Sequence, residues 1–589
     1  MLSPISPSGI SARTGGTSSP TSTTWIAHCF RASSRPSSRA ATSSSSTSRP
    51  ITPRRAGHSA RGVRRPCLHR TSCSRRSARC GSSTTKTASW SWTTGCTADR
   101  RRSSDWSRRS RPTEYRADRG GRVWVRRCVP AVAATLALSS GAASVSVQAP
   151  DQARPQFSRD TVTLTIPQVD YEPAIYYRDG DPYPHLDLRR VDRQRIVQKD
   201  HAAVVLENRY VRLTLLPAMG RVYSFVYKPT GHETLWHNDI ATVGGAANDT
   251  GWWLWIGGIE YTLPGDEHGT TWALPWDWEI AEDSGRRKAV RMRVREPGTG
   301  LAETIEIALR PDRAFFETTI GITNPTDETI EYAHWVNPQW APGGQNELTD
   351  GTEFIIPTER ILIEGRWQAN LGPSPQDWAT SPLRFIDGWS AMGDLMADGL
   401  AHGFYSAYSH DAGEGIVRVF DPEVTPGVDV WTYGHRPTGI PMGSSAPNAG
   451  YAEMWGGTSR TYPDERRPLS PGEAIEWTEW MYPYHGTGGL TFANRDLAVT
   501  LRVSADTGRA TIALCPSGAW RGTVELLGGG SGAAGAPQQR WELSIDPTTP
   551  FLELVDLAEF DALTPADLRL RVGSDREGWM EILAEPDPR

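Results

Sequence analysis

Six tryptophans, Trp252, Trp253, Trp255, Trp272, Trp276 and Trp278, fall between residues 252 and 278. Their type suits a defined chemistry. Sugar rings present apolar C–H faces, and flat aromatic faces stack against them. A tryptophan in a strand is also ordinary core filler. Gly257, Gly258, Pro264 and Gly269 break the same stretch into irregular loops, so a binding cleft competes with the core for these rings. His268 lies inside this stretch, in the run Asp266-Glu267-His268-Gly269. A second set, Cys67, His69, Cys73 and Cys80, has the residue types of a metal site. Its surroundings are rich in Ser and Arg with no apolar periodicity, and chance composition explains it better. No metal or cofactor is expected. The chain has no His-Glu-x-x-His, no phosphate-binding Walker run and no dinucleotide-binding glycine run, so zinc hydrolysis and nucleotide chemistry are unsupported.

The net charge of -4 conceals two opposed halves. Residues 1–127 hold 26 Lys and Arg against four Asp and Glu, leaving 37 basic and 63 acidic residues after them. So acidic a remainder argues against binding nucleic acid, whose phosphates call for neutralising Lys and Arg. Six of the seven cysteines lie at or before Cys128, and only Cys515 follows, so no disulfide framework is expected in the later part. Residues 1–121 are dominated by Ser, Thr, Arg and Gly. They are expected to be disordered, or to be translation beyond the true start, with a basic nucleic-acid-binding tail as the alternative reading. Residues 122–149 read as a secretory signal peptide: Arg126 and Arg127, an apolar run from Cys128 to Leu138, then the small residues of Ser139 to Ala143. On that reading translation starts near residue 123 and the product is secreted or extracytoplasmic; a short apolar linker is the bland alternative. The apolar run is too short to span a bilayer, so no integral membrane segment is expected.

The elements that must position the tryptophans are strands. Val211 to Leu216 alternates and Pro217 to Gly220 forms a turn. Val222 to Tyr227 makes a second strand, and Lys228-Pro229-Thr230-Gly231 carries turn residues at turn spacing. Similar units recur at residues 289–294, 304–309, 315–320 and 415–420, with long helical periodicity almost absent. The fold class is therefore all-β, built of sandwich or barrel sheets. A break near residues 485–495 separates a body of residues 157–485 from a small β-sandwich at 493–589, which holds no candidate site.

A series of motifs, in order, resembles the galactose mutarotase-like (aldose epimerase-like) superfamily over about residues 160–485. Glu207 to Arg221 is similar to the opening strands of that superfamily. Ile256-Gly257-Gly258-Ile259-Glu260, with Pro264 and His268-Gly269, resembles a sugar-epimerase run. Asn324-Pro325-Thr326-Asp327, followed by His334 and Asn337, resembles the stretch carrying the family's catalytic histidine, with the final spacing one residue shorter. The segments 430–434 and 451–457 resemble later strands, the second holding the family's catalytic glutamate. Pro468 to Trp480 resembles the closing strand. The resemblance implies a β-supersandwich, stacked antiparallel sheets with a sugar cleft across one face. It implies Glu453 as a base and His334 as an acid. His268 would bind a sugar hydroxyl, Trp272 and Trp455 would stack, and Glu260 and Arg221 would add polar contacts. Opening a hemiacetal ring calls for such a pair: one group takes the anomeric proton and another protonates the ring oxygen. The expected ligand is a carbohydrate and the expected activity that of an aldose 1-epimerase-like isomerase. A non-catalytic sugar-binding protein and a polysaccharide hydrolase or lyase on the same fold are the alternatives. Met454-Trp455-Gly456-Gly457 departs from the mutarotase pattern and alters the pocket wall.

Overall fold

The computed structural model describes residues 157–589, apart from residue 266 and the segments 437–449, 463–464, 529–536, 560–567 and 575–577. The basic N-terminal segment, its cysteines and the signal-peptide-like run lie outside the described residues. The regular structure of the described chain is almost entirely strand, its one α-helix being the four residues Gln368–Leu371, as the two-residue periodicity predicts.

Two large sheets dominate, one of fourteen strands and one of eight. Nine strands position the candidate site and its surroundings: β1 (Arg221–Tyr227), β2 (Trp253–Gly257), β3 (Ile259–Thr262), β4 (Ala302–Leu309), β5 (Trp335–Trp340), β6 (Gly393–Ala397), β7 (Gly427–Thr432), β8 (Ala452–Gly457) and β9 (Ala474–His485). The middle of the larger sheet runs β6-β7-β8-β5-β3-β1, each pair antiparallel, while β4 and β9 belong to the smaller sheet.

Successive side chains of a strand point to opposite faces, and here the alternation assigns the faces. Leu395, Val428, Val430, Ala452, Met454, Val336, Trp340, Ile259 and Tyr261 share one buried cluster with Ile305, Ile307 and Trp477 of the smaller sheet. These residues fill the space between the sheets, so the two stack face to face as a β-supersandwich. Burying each such large apolar side chain contributes about 1.5–3 kcal/mol. The alternate residues of the same strands stand on the outer face of the larger sheet, where a second apolar cluster gathers Trp236, Trp253, Trp255, Tyr433 and Tyr451.

Gly257 and Gly258 make the reversal from β2 into β3 with φ of 104° and 86°. A Cβ on Gly257 would lie 2.3 Å from the Trp236 carbonyl oxygen, so both conformation and space require glycine there.

Residues 492–586 build a five-stranded and a four-stranded sheet around a core of their own, including Leu501, Ile512, Val524 and Leu570. Arg502 of this part reaches back to Glu353 of the large body with two hydrogen bonds, at 2.8 and 2.9 Å, both side chains fully buried. No helix among the described residues is long and apolar enough to cross a membrane.

Candidate functional site

Glu453 projects from β8 onto the outer face, since its neighbours Ala452 and Met454 belong to the core between the sheets. It is 4% exposed. Oε2 accepts from Trp455 Nε1 at 2.9 Å and Asn337 Nδ2 at 3.2 Å, and Oε1 accepts from the Tyr451 hydroxyl at 3.1 Å and Gln339 Nε2 at 3.4 Å. Strand register explains the set. Gln339 on β5 pairs directly with Glu453, Asn337 lies two residues along on the same face, and Tyr451 and Trp455 flank Glu453 on its own face. Burial raises the Glu453 carboxyl above the ordinary glutamate range. His268 lowers it and Glu260 raises it further, while hydrogen bonds from Tyr451 and Trp455 pull it down.

His268 comes to this group from a loop rather than a strand. Its φ of 59° is left-handed, and its backbone N–H donates to the Tyr462 hydroxyl at 3.1 Å. The imidazole stacks on the Trp253 indole at 4.1 Å with the planes 14° apart, and stands 5.4 Å from the Trp455 ring. Its Nδ1 lies 3.5 Å from Glu260 Oε1. Burial pulls the imidazole pKa down, but the contact with Glu260 and the charges of Glu260, Glu453 and Glu267 outweigh it, so the net shift is upward. Glu260 in turn is fixed through its other oxygen, which accepts from Arg221 Nη2 and Trp253 Nε1, both at 2.8 Å. Burial raises its carboxyl, yet Arg221 and His268 more than reverse this and hold it below the usual range. Arg221 also donates to the Gly257 carbonyl at 2.7 Å, tying β1 to the glycine reversal.

Five of the seven expected site residues thus form one contact network: Glu453, Trp455, His268, Glu260 and Arg221. His334 is not among them, which corrects the expectation that it serves as the acid of this cleft. It precedes β5 with the parity of Val336 and Trp340, so it points between the sheets. There Nε2 meets Glu303 Oε1 of β4 at 2.9 Å and the ring lies edge-on to Trp477 of β9. Trp272 is buried edge-on against Trp252 at 4.7 Å, a packing role within the apolar cluster. The tryptophan-rich stretch divides accordingly. Trp253 supports His268, Trp276 fills the core between the sheets, and Trp278 packs against that core.

Asp429 is a further member that motif matching passes over. It lies on β7 opposite Trp455, on the outer face because Val428 and Val430 point inward. It is 3% exposed. Its signal was present in the alternation Val428-Asp429-Val430. Burial first, then the charges of Asp394, Glu453 and Glu364, hold its carboxyl well above the ordinary range. Asn337 Oδ1, Gln339 Oε1 and Asp429 Oδ1 are buried with no hydrogen-bond partner among the described residues.

Among the described residues, one group has three ligand atoms close enough to share a metal ion: Asp350, Asp387 and His435. Asp350 and Asp387 are exposed, and Arg436 already pairs with Asp350, so a cation there would compete with a guanidinium.

The fold and this polar face define an all-β supersandwich with a concentrated buried polar network on one sheet. Residues 180–480, just over half of the chain, match the family model described as a domain of unknown function, DUF5107, and the chain belongs to that family. Among solved structures, a TPR-domain containing protein from Parabacteroides distasonis is similar at 21% identity and a TM-score of 0.46. The match covers 56% of this chain and 55% of that one, so it spans little more than half of that protein. A galactose mutarotase-like protein from Clostridium acetobutylicum is similar at 10% identity and a TM-score of 0.36, over 49% of this chain and 96% of that one. Another from Lactobacillus casei is similar at 12% identity and a TM-score of 0.33, over 48% of this chain and all of that one.

Proposed function

We propose that the outer face around Glu453 binds a sugar ring and that Glu453 and His268 exchange protons with it, an aldose 1-epimerase-like reaction. One observation carries the reading. Around Glu453, side chains that are nine-tenths or more buried keep polar atoms without a hydrogen-bond partner among the described residues, Asn337 Oδ1 and Gln339 Oε1 among them, with the rings of Trp455 and the Trp253–His268 stack beside them. Buried polar atoms are costly unless hydrogen-bonded. A polyhydroxylated ring with apolar C–H faces supplies both the donors and the stacking surface.

The titration directions suit the chemistry. A buried carboxylate with its pKa raised toward neutrality is a better base than an exposed one, and a histidine with its pKa raised is protonated over more of the physiological range. Glu453 takes the anomeric hydroxyl proton while the His268 imidazolium gives its proton to the ring oxygen. The C1–O5 bond breaks and C1 becomes the aldehyde carbon. Rotation about C1–C2 and the reverse transfers close the other anomer. Glu260, at Nδ1, holds the imidazole's orientation and leaves Nε2 for the ligand.

A second reading, binding without turnover, draws on a specific feature: both oxygens of Glu453 already accept from protein donors. Exchange NMR on freshly dissolved aldoses separates the two. Catalysis predicts anomer interconversion above the buffer rate, reduced about 10²- to 10⁴-fold in Glu453→Gln. Equal behaviour of wild type and variant on every sugar leaves binding alone.

A further inference from the structure

Asp429 presents a problem that the proton-transfer chemistry does not resolve. It is 3% exposed and its Oδ1 has no hydrogen-bond partner among the described residues. An unpaired buried carboxylate is among the costliest groups a fold can hold. The charged groups acting on it are Asp394, Glu453, Glu364 and Arg366, three acids against one base. Arg366 is no dedicated partner. Its side chain is 61% exposed, its Nε pairs with Glu364 at 2.7 Å, and it stands 3.9 Å from Asp394. Asp394 repeats the pattern one strand further out: it pairs across β6 and β7 with Trp431, is 6% exposed, and its Oδ1 has no hydrogen-bond partner among the described residues.

A metal ion does not fit. Among the described residues, the one group with three ligand atoms within 4.8 Å of one another is Asp350, Asp387 and His435, which includes none of these acids. The acids are instead spread along adjacent strands, which lie about 4.8 Å apart. A cation carried on a larger ligand meets that spacing. Asp429 pairs in register with Trp455, whose indole N–H binds Glu453. A charged substituent on a ring held at Glu453 and Trp455 therefore has only one strand to cross.

We propose, resting on the sugar-binding reading of this face, that its ligand is an amino sugar whose free, protonated amine pairs with Asp429. The same arrangement disfavours uronic acids, which would add a carboxylate to a site already crowded with them. Burial, with the neighbouring acids, holds the Asp429 carboxyl well above its ordinary range, and pairing with an ammonium group would lower it.

Isothermal titration of the full chain at pH 7 with glucosamine, N-acetylglucosamine, glucose and glucuronate tests this, with Asp429→Asn in parallel. The expected ranking puts glucosamine about tenfold or more ahead of glucose and N-acetylglucosamine, with proton release on glucosamine binding alone, and glucuronate weakest. Asp429→Asn is expected to lose the preference for glucosamine over glucose. Equal affinity of the wild type for glucose and glucosamine overturns the amine assignment and leaves sugar binding standing, as does a preference that survives in Asp429→Asn. Failure of every sugar to bind the wild type overturns both.

Discussion

Replacing Glu260 with glutamine probes the arrangement that holds His268. In the native protein the Glu260 and Arg221 side chains are 2% and 3% exposed and lie 2.8 Å apart. Removing the charge of one partner in a buried pair costs about 3–5 kcal/mol, because the other charge is left uncompensated. Glutamine keeps much of the hydrogen bonding. Its carbonyl oxygen can still accept from Arg221 Nη2 and Trp253 Nε1, the two donors that reach Glu260 Oε2. The expected loss is therefore at the lower end, about 3 kcal/mol, measured by denaturant unfolding. The amide –NH₂ would then face His268 Nδ1, which Glu260 Oε1 faces at 3.5 Å in the native protein. That donor favours neutral imidazole, so the His268 pKa should fall from its raised native position, readable by NMR titration of the ring. The raised pKa contributes stability that is full below the unfolded histidine value and is lost as pH rises through the folded value. Glu260→Gln should therefore flatten the pH dependence in that window. Arg221→Met added to Glu260→Gln should recover part of the loss by removing the stranded charge. A stability change within about 0.5 kcal/mol, the range of a surface substitution, together with an unmoved His268 titration would refute the reasoning.

Other expectations rest on the same contacts. His334→Gln should leave sugar turnover within a few-fold of wild type while destabilising the protein, because His334 meets buried Glu303 between the sheets; a large activity loss at unchanged stability would show that His334 acts at the site. Glu353→Gln should cost about 3–5 kcal/mol in denaturant unfolding, since Arg502, Arg384 and His410 all converge on that fully buried carboxylate. Burial raises the Glu353 carboxyl, but Arg502 and His410 drive it far below the usual range. Its contribution is thus present above the unfolded glutamate value and lost as pH falls, so the variant should also lose acid sensitivity. Asp394 runs the other way, pushed up to about 6 by burial and by Glu364. Its penalty grows as pH rises from the ordinary aspartate value through about 6, and Asp394→Asn should be more stable than wild type at pH 7 in thermal melts. Gly257→Ala should cost more than about 2 kcal/mol or abolish soluble expression, since a left-handed φ and a backbone oxygen at 2.3 Å both oppose a Cβ.

The sequence revealed the sheets more readily than the site. Two-residue alternation is a local property, and it assigns Ala452, Glu453, Met454 and Trp455 to alternating faces without knowledge of the neighbours. His334 shows where this ends. Its spacing to Asn337 is three, an odd number, and on a strand odd spacing sends side chains to opposite faces. The one-residue shortening visible in the motif was therefore the physical reason that His334 faces Glu303 and not Glu453. His268 could be named from the loop composition, but its stacking on Trp253 depends on the left-handed backbone that Tyr462 anchors from almost 200 residues away. Asp429 was legible as an outward residue between two inward valines, yet its nearness to Glu453 exists only through the β7–β8 pairing. For Trp272 the resemblance implied a stacking surface, and in the structure the ring packs edge-on against Trp252.

The central claim is that a sugar ring sits on the outer face at Glu453, between Trp455 and the Trp253–His268 stack. The most direct measurement follows the indole N–H resonances during titration with freshly dissolved sugars, assigned by Trp455→Phe and Trp253→Phe. The prediction is saturable shifts at Trp455 and Trp253, whose N–H groups bind Glu453 and Glu260, with Trp541 and Trp579 of the C-terminal sandwich unmoved. Shifts confined to those two, or none at any sugar concentration, would contradict it.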